Sequence, residues 1–135
     1  MNKLDFGRNL NIEKFENDEW TEMVDETDMF KVFDKKELFL LCLALGYKSN
    51  LEKPIDTTYP TVNATLSEMQ KYTLLSYGFD NIGDDALSKI KEIKSSASKY
   101  AKGGFSILKR LKADSDSELV FASQVYNKIK ELSNR

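Results

Sequence analysis

The chain has 135 residues, 41% of them apolar and 31% charged, with a net charge of −2 at pH 7. That length supports one hydrophobic core rather than two, and six Gly with two Pro are too few for a disordered or loop-repeat chain. There is no histidine and a single cysteine, Cys42, which excludes Ser-His-Asp and Cys-His nucleophile systems, histidine general bases, CxxC motifs, an internal disulfide and the usual zinc sites.

The opening residues, from Met1 to Phe6, contain no apolar stretch of the secretory kind, which predicts a cytoplasmic protein. The longest apolar run covers residues 38–45. It falls far short of the ~20 residues needed to cross a bilayer, so no membrane partner is expected. The first predicted helix covers about residues 12–26, with Ile12, Phe15, Glu19 and Met23 at helical spacing on a thin apolar face. The second is the clearest. Asp34 and Glu37 have capping-box spacing, and the run 38–45 is apolar on every side, which predicts the central core helix. Gly46 then suits the left-handed residue that closes a helix.

Residues 47–64 read as an irregular loop broken by Pro54 and Pro60. Thr57, Thr58, Tyr59, Thr61 and Val62 leave room in it for a short strand or hairpin. A capping box at Thr65 and Glu68 opens the next helix, with Leu66, Met69, Tyr72, Leu75 and Phe79 on its inner face and Gly78 near its end. A long helix follows over residues 85–112, with Leu87, Ile90, Ile93, Ala97, Tyr100, Leu108 and Leu111 in unbroken phase. Gly103 and Gly104 weaken a helix by about 1 kcal/mol each, yet the phase survives them. Gly104 is therefore expected to face the core helix or a partner chain, with Lys102 on the wet side. The last helix starts near residue 115 and turns Leu119, Ala122, Tyr126, Ile129 and Ser133 inward. The fold class is thus all-α. It is a single domain of about five helices around a central apolar helix, with an acidic N-terminal segment (residues 1–33) and a helical core (residues 34–135).

Charge is unevenly spread. Residues 1–37 hold six basic and eleven acidic side chains, whereas residues 80–112 hold eight basic and four acidic. Solvated helix faces of opposite sign are the plain explanation. The acidic cluster of Asp18, Glu19, Glu22, Asp25, Glu26 and Asp28 lacks the spacing of a calcium loop. The basic stretch offers Lys91, Lys94, Lys102, Lys109 and Arg110 as candidate phosphate contacts. With one arginine, such contacts would be non-specific in sequence. No catalytic constellation, cofactor motif or metal set emerges. The expected activity is the binding of another macromolecule, with a second copy of the chain among the candidates. Tyr100, Gly103, Gly104 and Phe105 are the candidate partner contacts. An acidic decoy built on the N-terminal segment is the remaining alternative.

Two segments resemble a known family. Lys36 and Glu37, the apolar run that follows, and Ala44, Leu45, Gly46, Tyr47 and Lys48 resemble a KE-hydrophobic-ALG-aromatic-K stretch. Tyr100, Ala101, Gly103, Gly104 and Leu108 are similar to a second motif, EYA-x-GG-x-x-x-L, although Lys99 stands in place of its Glu. Lys53, Pro54 and Ile55 match an intervening basic-proline-hydrophobic turn. These are features of small helical accessory proteins associated with bacterial DNA phosphorothioation (Dnd-type) defence loci. The resemblance implies a role beside restriction or defence proteins and no known catalytic site.

Overall fold

Asp34 accepts a hydrogen bond from the Glu37 backbone N–H at 2.9 Å, and Glu37 accepts one in return from the Asp34 backbone. This capping box starts helix α2 (Lys35–Lys48) in a computed structural model that describes residues 6, 7, 9–31, 33–60 and 66–134. Four further helices surround or extend it: α1 (Asn17–Glu26), α3 (Glu68–Asn81), α4 (Ile90–Ala113) and α5 (Glu118–Ser133). Two three-residue strands, β1 (Asn11–Glu13) and β2 (Thr58–Pro60), pair antiparallel with Ile12 opposite Tyr59. The chain is all-α apart from this ribbon. Among the described residues no helix is long and apolar enough to cross a membrane.

The core lies along the crossing of α2 and α4. Leu38, Phe39, Cys42, Leu43 and Leu45 meet Ile93, Ala97, Ala101, Phe105 and Leu108 there. The crossing is close because glycines line it. A Cβ on Gly46 would overlap the Tyr100 carbonyl oxygen, and one on Gly104 would overlap that of Cys42. Gly103 is similarly pressed against the Leu51 carbonyl. Helix α4 runs through both glycines without a break, as its phase predicts. Trp20 of α1 is fully buried and stacks on Phe105 at 4.4 Å between ring centroids.

Several local expectations are corrected. The first helix begins at Asn17, because Asn11–Glu13 is claimed by the ribbon and Lys14–Glu16 forms a 3-10 turn. The short strand that the long loop left room for is β2, paired with the N-terminal β1, and Thr61 and Val62 lie outside the described residues. Helix α2 passes through Gly46, and the left-handed residue beyond it is Asn50 (φ 53°). Helix α3 likewise passes through Gly78, where Ile93 packs against its backbone. Its capping box uses Ser67 and Gln70, and Thr65 lies outside the described residues. Helix α4 begins at Ile90 after a 3-10 turn at Ala86–Ser88, which leaves Leu87 exposed. Helix α2 is not covered all round, since Ala44 is exposed and Leu40 and Leu41 are only partly buried.

The largest correction concerns inner faces. Helix α3 buries Leu74, Tyr77 and Gly78, and helix α5 buries Phe121, Val125 and Leu132. Met69, Tyr72 and Phe79 of α3, and Leu119, Tyr126 and Ile129 of α5, face outward instead. Each helix carries two apolar stripes. The fold turns inward the one that the sequence reading left aside.

Candidate functional site

The lysines of α4 fall into two groups with different surroundings. In its C-terminal half they are spent on the N-terminal segment. Lys102 Nζ donates to Glu13 Oε1 at 2.8 Å and to the Pro54 carbonyl at 2.7 Å. Lys109 Nζ lies 3.0 Å from Glu16 and 3.2 Å from Glu19. Lys112 donates to the Thr27 hydroxyl at 2.9 Å. Glu13 has no solvent exposure and also accepts from the backbone N–H groups of Asp56 and Thr57. Burial opposes its ionisation, but the Lys102 ammonium and the two N–H donors outweigh that and hold the carboxyl at about 2. For Lys109, too, burial disfavours the charge, and Glu16 and Glu19 reverse the effect and raise its pKa.

The uneven charge of the chain therefore has an internal explanation. Part of the acidic N-terminal segment folds onto part of the basic helix. Lys102 does not stand on a wet surface, and Lys102 and Lys109 are not free for phosphate. Arg110 is exposed. Lys91 and Lys94 sit a turn or more toward the N-terminus, where Lys91, Lys94 and Lys99 line a cleft of about 280 Å³ against β1 and β2.

The candidate partner contacts are also used within the chain. Gly103, Gly104 and Phe105 are buried in the α2–α4 crossing. Tyr100 is partly buried and packs edge-on against Tyr47 at 5.2 Å. Of the two places offered to Gly104, it takes the core helix, because its backbone must approach Cys42. The Tyr77 phenol, beside Ser96, is pushed up to about 12, chiefly by burial. Burial, and then the charge of Glu16, raise the Cys42 thiol well above its ordinary value, so it is a packing residue rather than a thiolate. Among the described residues, no three His, Cys, Asp or Glu side chains are grouped to hold a metal ion.

No protein-family model, curated protein or solved structure matches this chain.

What the geometry leaves outside the fold is apolar surface on α3 and α5. On α5, Leu119, Ala122, Tyr126 and Ile129 recur at alternating spacings of three and four residues. Leu119 is 78% exposed and Tyr126 63%. Beside this stripe, Leu41 and Ala44 of α2 join Ile129 and Leu132 in an apolar groove of about 170 Å³. Sequence reasoning found these residues and assigned them inward. The buried stripe of Phe121, Val125 and Leu132 was the missing signal.

Proposed function

We propose that this protein is a non-catalytic interaction module of the cytoplasm, which binds a protein partner through the outward apolar stripe of α5. The observation that carries this reading is the double-faced character of the helix. Phe121, Val125 and Leu132 already anchor it to the core. Leu119 and Tyr126 remain in water, and Ile129 stands at the edge of the groove against α2. Spacings of three and four residues are those by which one helix seats against another. The apolar groove against α2 continues the same surface. The partner fitted to it is a protein presenting an amphipathic helix. The resemblance to accessory proteins of DNA phosphorothioation loci directs the search for that partner to restriction and defence proteins.

The binding of nucleic acid is less well supported, because Lys102, Lys109 and Lys112 are engaged by the N-terminal segment. The test is site-specific photo-crosslinking in the cells that make the protein. A photoreactive residue at Tyr126 is expected to give discrete adducts that Ile129→Glu removes without altering thermal unfolding. The same residue at Asp84, on an exposed loop, is expected to give none. Identical adducts from positions 126 and 84, or adducts indifferent to Ile129→Glu, would overturn the proposal.

A further inference from the structure

The outward stripe of α5 is balanced about its middle. Leu119 and Ile129 stand at its two ends, Ala122 and Tyr126 between them, and both pairs are evenly placed about Gln124. Laid antiparallel on the same helix of another chain, Leu119 comes opposite Ile129 and the small Ala122 opposite the large Tyr126. Successive layers then hold comparable bulk, as packed helix seams require. In a parallel pair Tyr126 would meet Tyr126 and Ala122 would meet Ala122, which crowds one layer and leaves the next thin.

Charge supplies an independent observation, because it is segregated along the same helix. The approach to α5 and its first turn carry Asp114, Asp116 and Glu118, and residues 114–127 contain no lysine or arginine. The last turns carry Lys128 and Lys130, with Glu131 lying 3.9 Å from Lys128. Lys48 of α2 adds a cation at that end, in the wall of the groove beside Ile129. Asp116, Glu118, Lys48 and Lys130 are all exposed. Seven-residue spacing puts Glu118 on the flank of Val125 and Leu132, toward the core, and Asp116 on the outer flank with Lys130. A two-fold axis across an antiparallel pair sets like flank against like flank and first turn against last. Glu118 of one copy then comes to Lys48 of the other, and Asp116 to Lys130. A parallel pair would instead gather the carboxylates at one end and the lysines at the other.

We propose that this protein associates with a second copy of itself, the two α5 helices packed antiparallel about a two-fold axis at the height of Gln124. The proposal rests on the reading of this stripe as a docking surface and names its occupant: the amphipathic helix that fits it is the same helix of another chain. Leu119, 78% exposed in the single chain, then packs on Ile129 of the second copy at the rim of the groove against α2. A stripe of four side chains is a small interface, so the pair is reversible and exchanges with the monomer.

Sedimentation velocity of the pure chain, over a series from about 1 μM to about 1 mM, tests the proposal. A dimer that grows with concentration is expected, and Ile129→Glu is expected to remove it while thermal unfolding of the dilute chain stays unchanged. Asp116→Lys with Glu118→Lys should weaken the dimer about tenfold, by setting like charges against each other on both flanks. Adding Lys48→Glu and Lys130→Glu to that variant should restore it. The helix dipole disfavours every one of these reversals, so the recovery cannot come from a firmer helix. A dimer indifferent to Ile129→Glu, or one that the first two reversals leave intact or the further two fail to restore, would overturn the proposal. So would a chain that is monomeric throughout the series. A monomeric chain whose position 126 still gives Ile129-dependent adducts in cells would sink the self-pairing alone, and one that gives none would sink the docking surface with it.

Discussion

The Lys102 ammonium lies 2.8 Å from the Glu13 carboxylate, in a pair whose acidic member is wholly shielded from water. The two residues tie the N-terminal ribbon to the long helix, and Glu13 at once caps the backbone of Asp56 and Thr57. Lys102→Ala is expected to destabilise the fold by about 3 kcal/mol, because it leaves a buried carboxylate without its counter-charge. The double variant Glu13→Gln, Lys102→Met is expected to recover part of that loss. A double-mutant cycle in urea checks both values.

The same pair makes stability depend on acid. The Glu13 carboxyl titrates at about 2 in the folded chain against an ordinary value of 4.5. A lowered folded-state pKa contributes stability that is complete above the unfolded value and disappears as pH falls toward the folded one. The contribution is therefore expected to fade between about pH 5 and pH 2. Glu13→Gln should flatten the thermal-unfolding profile in that window. An unchanged profile would show that Glu13 is not the group responsible.

The glycines at the α2–α4 crossing predict a graded series. Added methyl groups at Gly46, Gly103 and Gly104 meet backbone carbonyls, which cannot swing aside. Each alanine variant there should cost at least about 1–3 kcal/mol. At Gly78 the obstacle is the end of the Ile93 side chain, which can rotate, so Gly78→Ala should be milder. Thermal unfolding of the four variants ranks them.

Helix α2 predicts a contrast between neighbours. Phe39 is fully buried, and Phe39→Ala should cost about 3–5 kcal/mol. Leu41 only borders the groove against α5, so Leu41→Ala should cost about 1 kcal/mol. Denaturant midpoints at constant m-value decide between a central helix packed on all sides and one open on this flank.

Helix α5 separates its two stripes in the same way. Phe121→Ala should cost about 3–5 kcal/mol. Leu119→Ser and Tyr126→Ser should move stability by less than about 0.5 kcal/mol, since both side chains stand in water. Large losses at 119 and 126 would return that stripe to the core.

These contrasts mark where periodicity ceased to guide the reading. In α4 the apolar residues form one stripe, with lysines elsewhere, so Ile93, Ala97 and Leu108 could be placed correctly. In α3 and α5 two apolar stripes compete, and a helix considered alone does not reveal which faces its neighbour. The capping residues Asp34 and Ser67 act through local hydrogen bonds, and Asp34 was legible for that reason. Gly46 and Gly78 mimic helix ends, but close helix approach, a tertiary cause, put them inside helices. The cleft at Lys91 and Lys99 was visible only as a run of charge. Around Lys102 and Lys109 the outcome depended on Glu13, Glu16 and Glu19, which come from a distant part of the chain.

The contacts between the N-terminal segment and α4 also bear on the order of folding. Glu13 and Lys102 are 89 positions apart, and Glu16 and Lys109 are 93 apart. On the ribosome the carboxylates emerge first and wait for all of α2 and α3 and much of α4 before their lysines exist. Closing so long a loop costs entropy that nearby contacts do not. The crossing of α2 and α4 can form before the ribbon closes over it. The N-terminal segment is thus expected to dock after the crossing, and a nascent chain stalled before residue 102 would lack Gly104, Phe105 and Leu108 of that crossing as well as the lysines that hold the acidic cover.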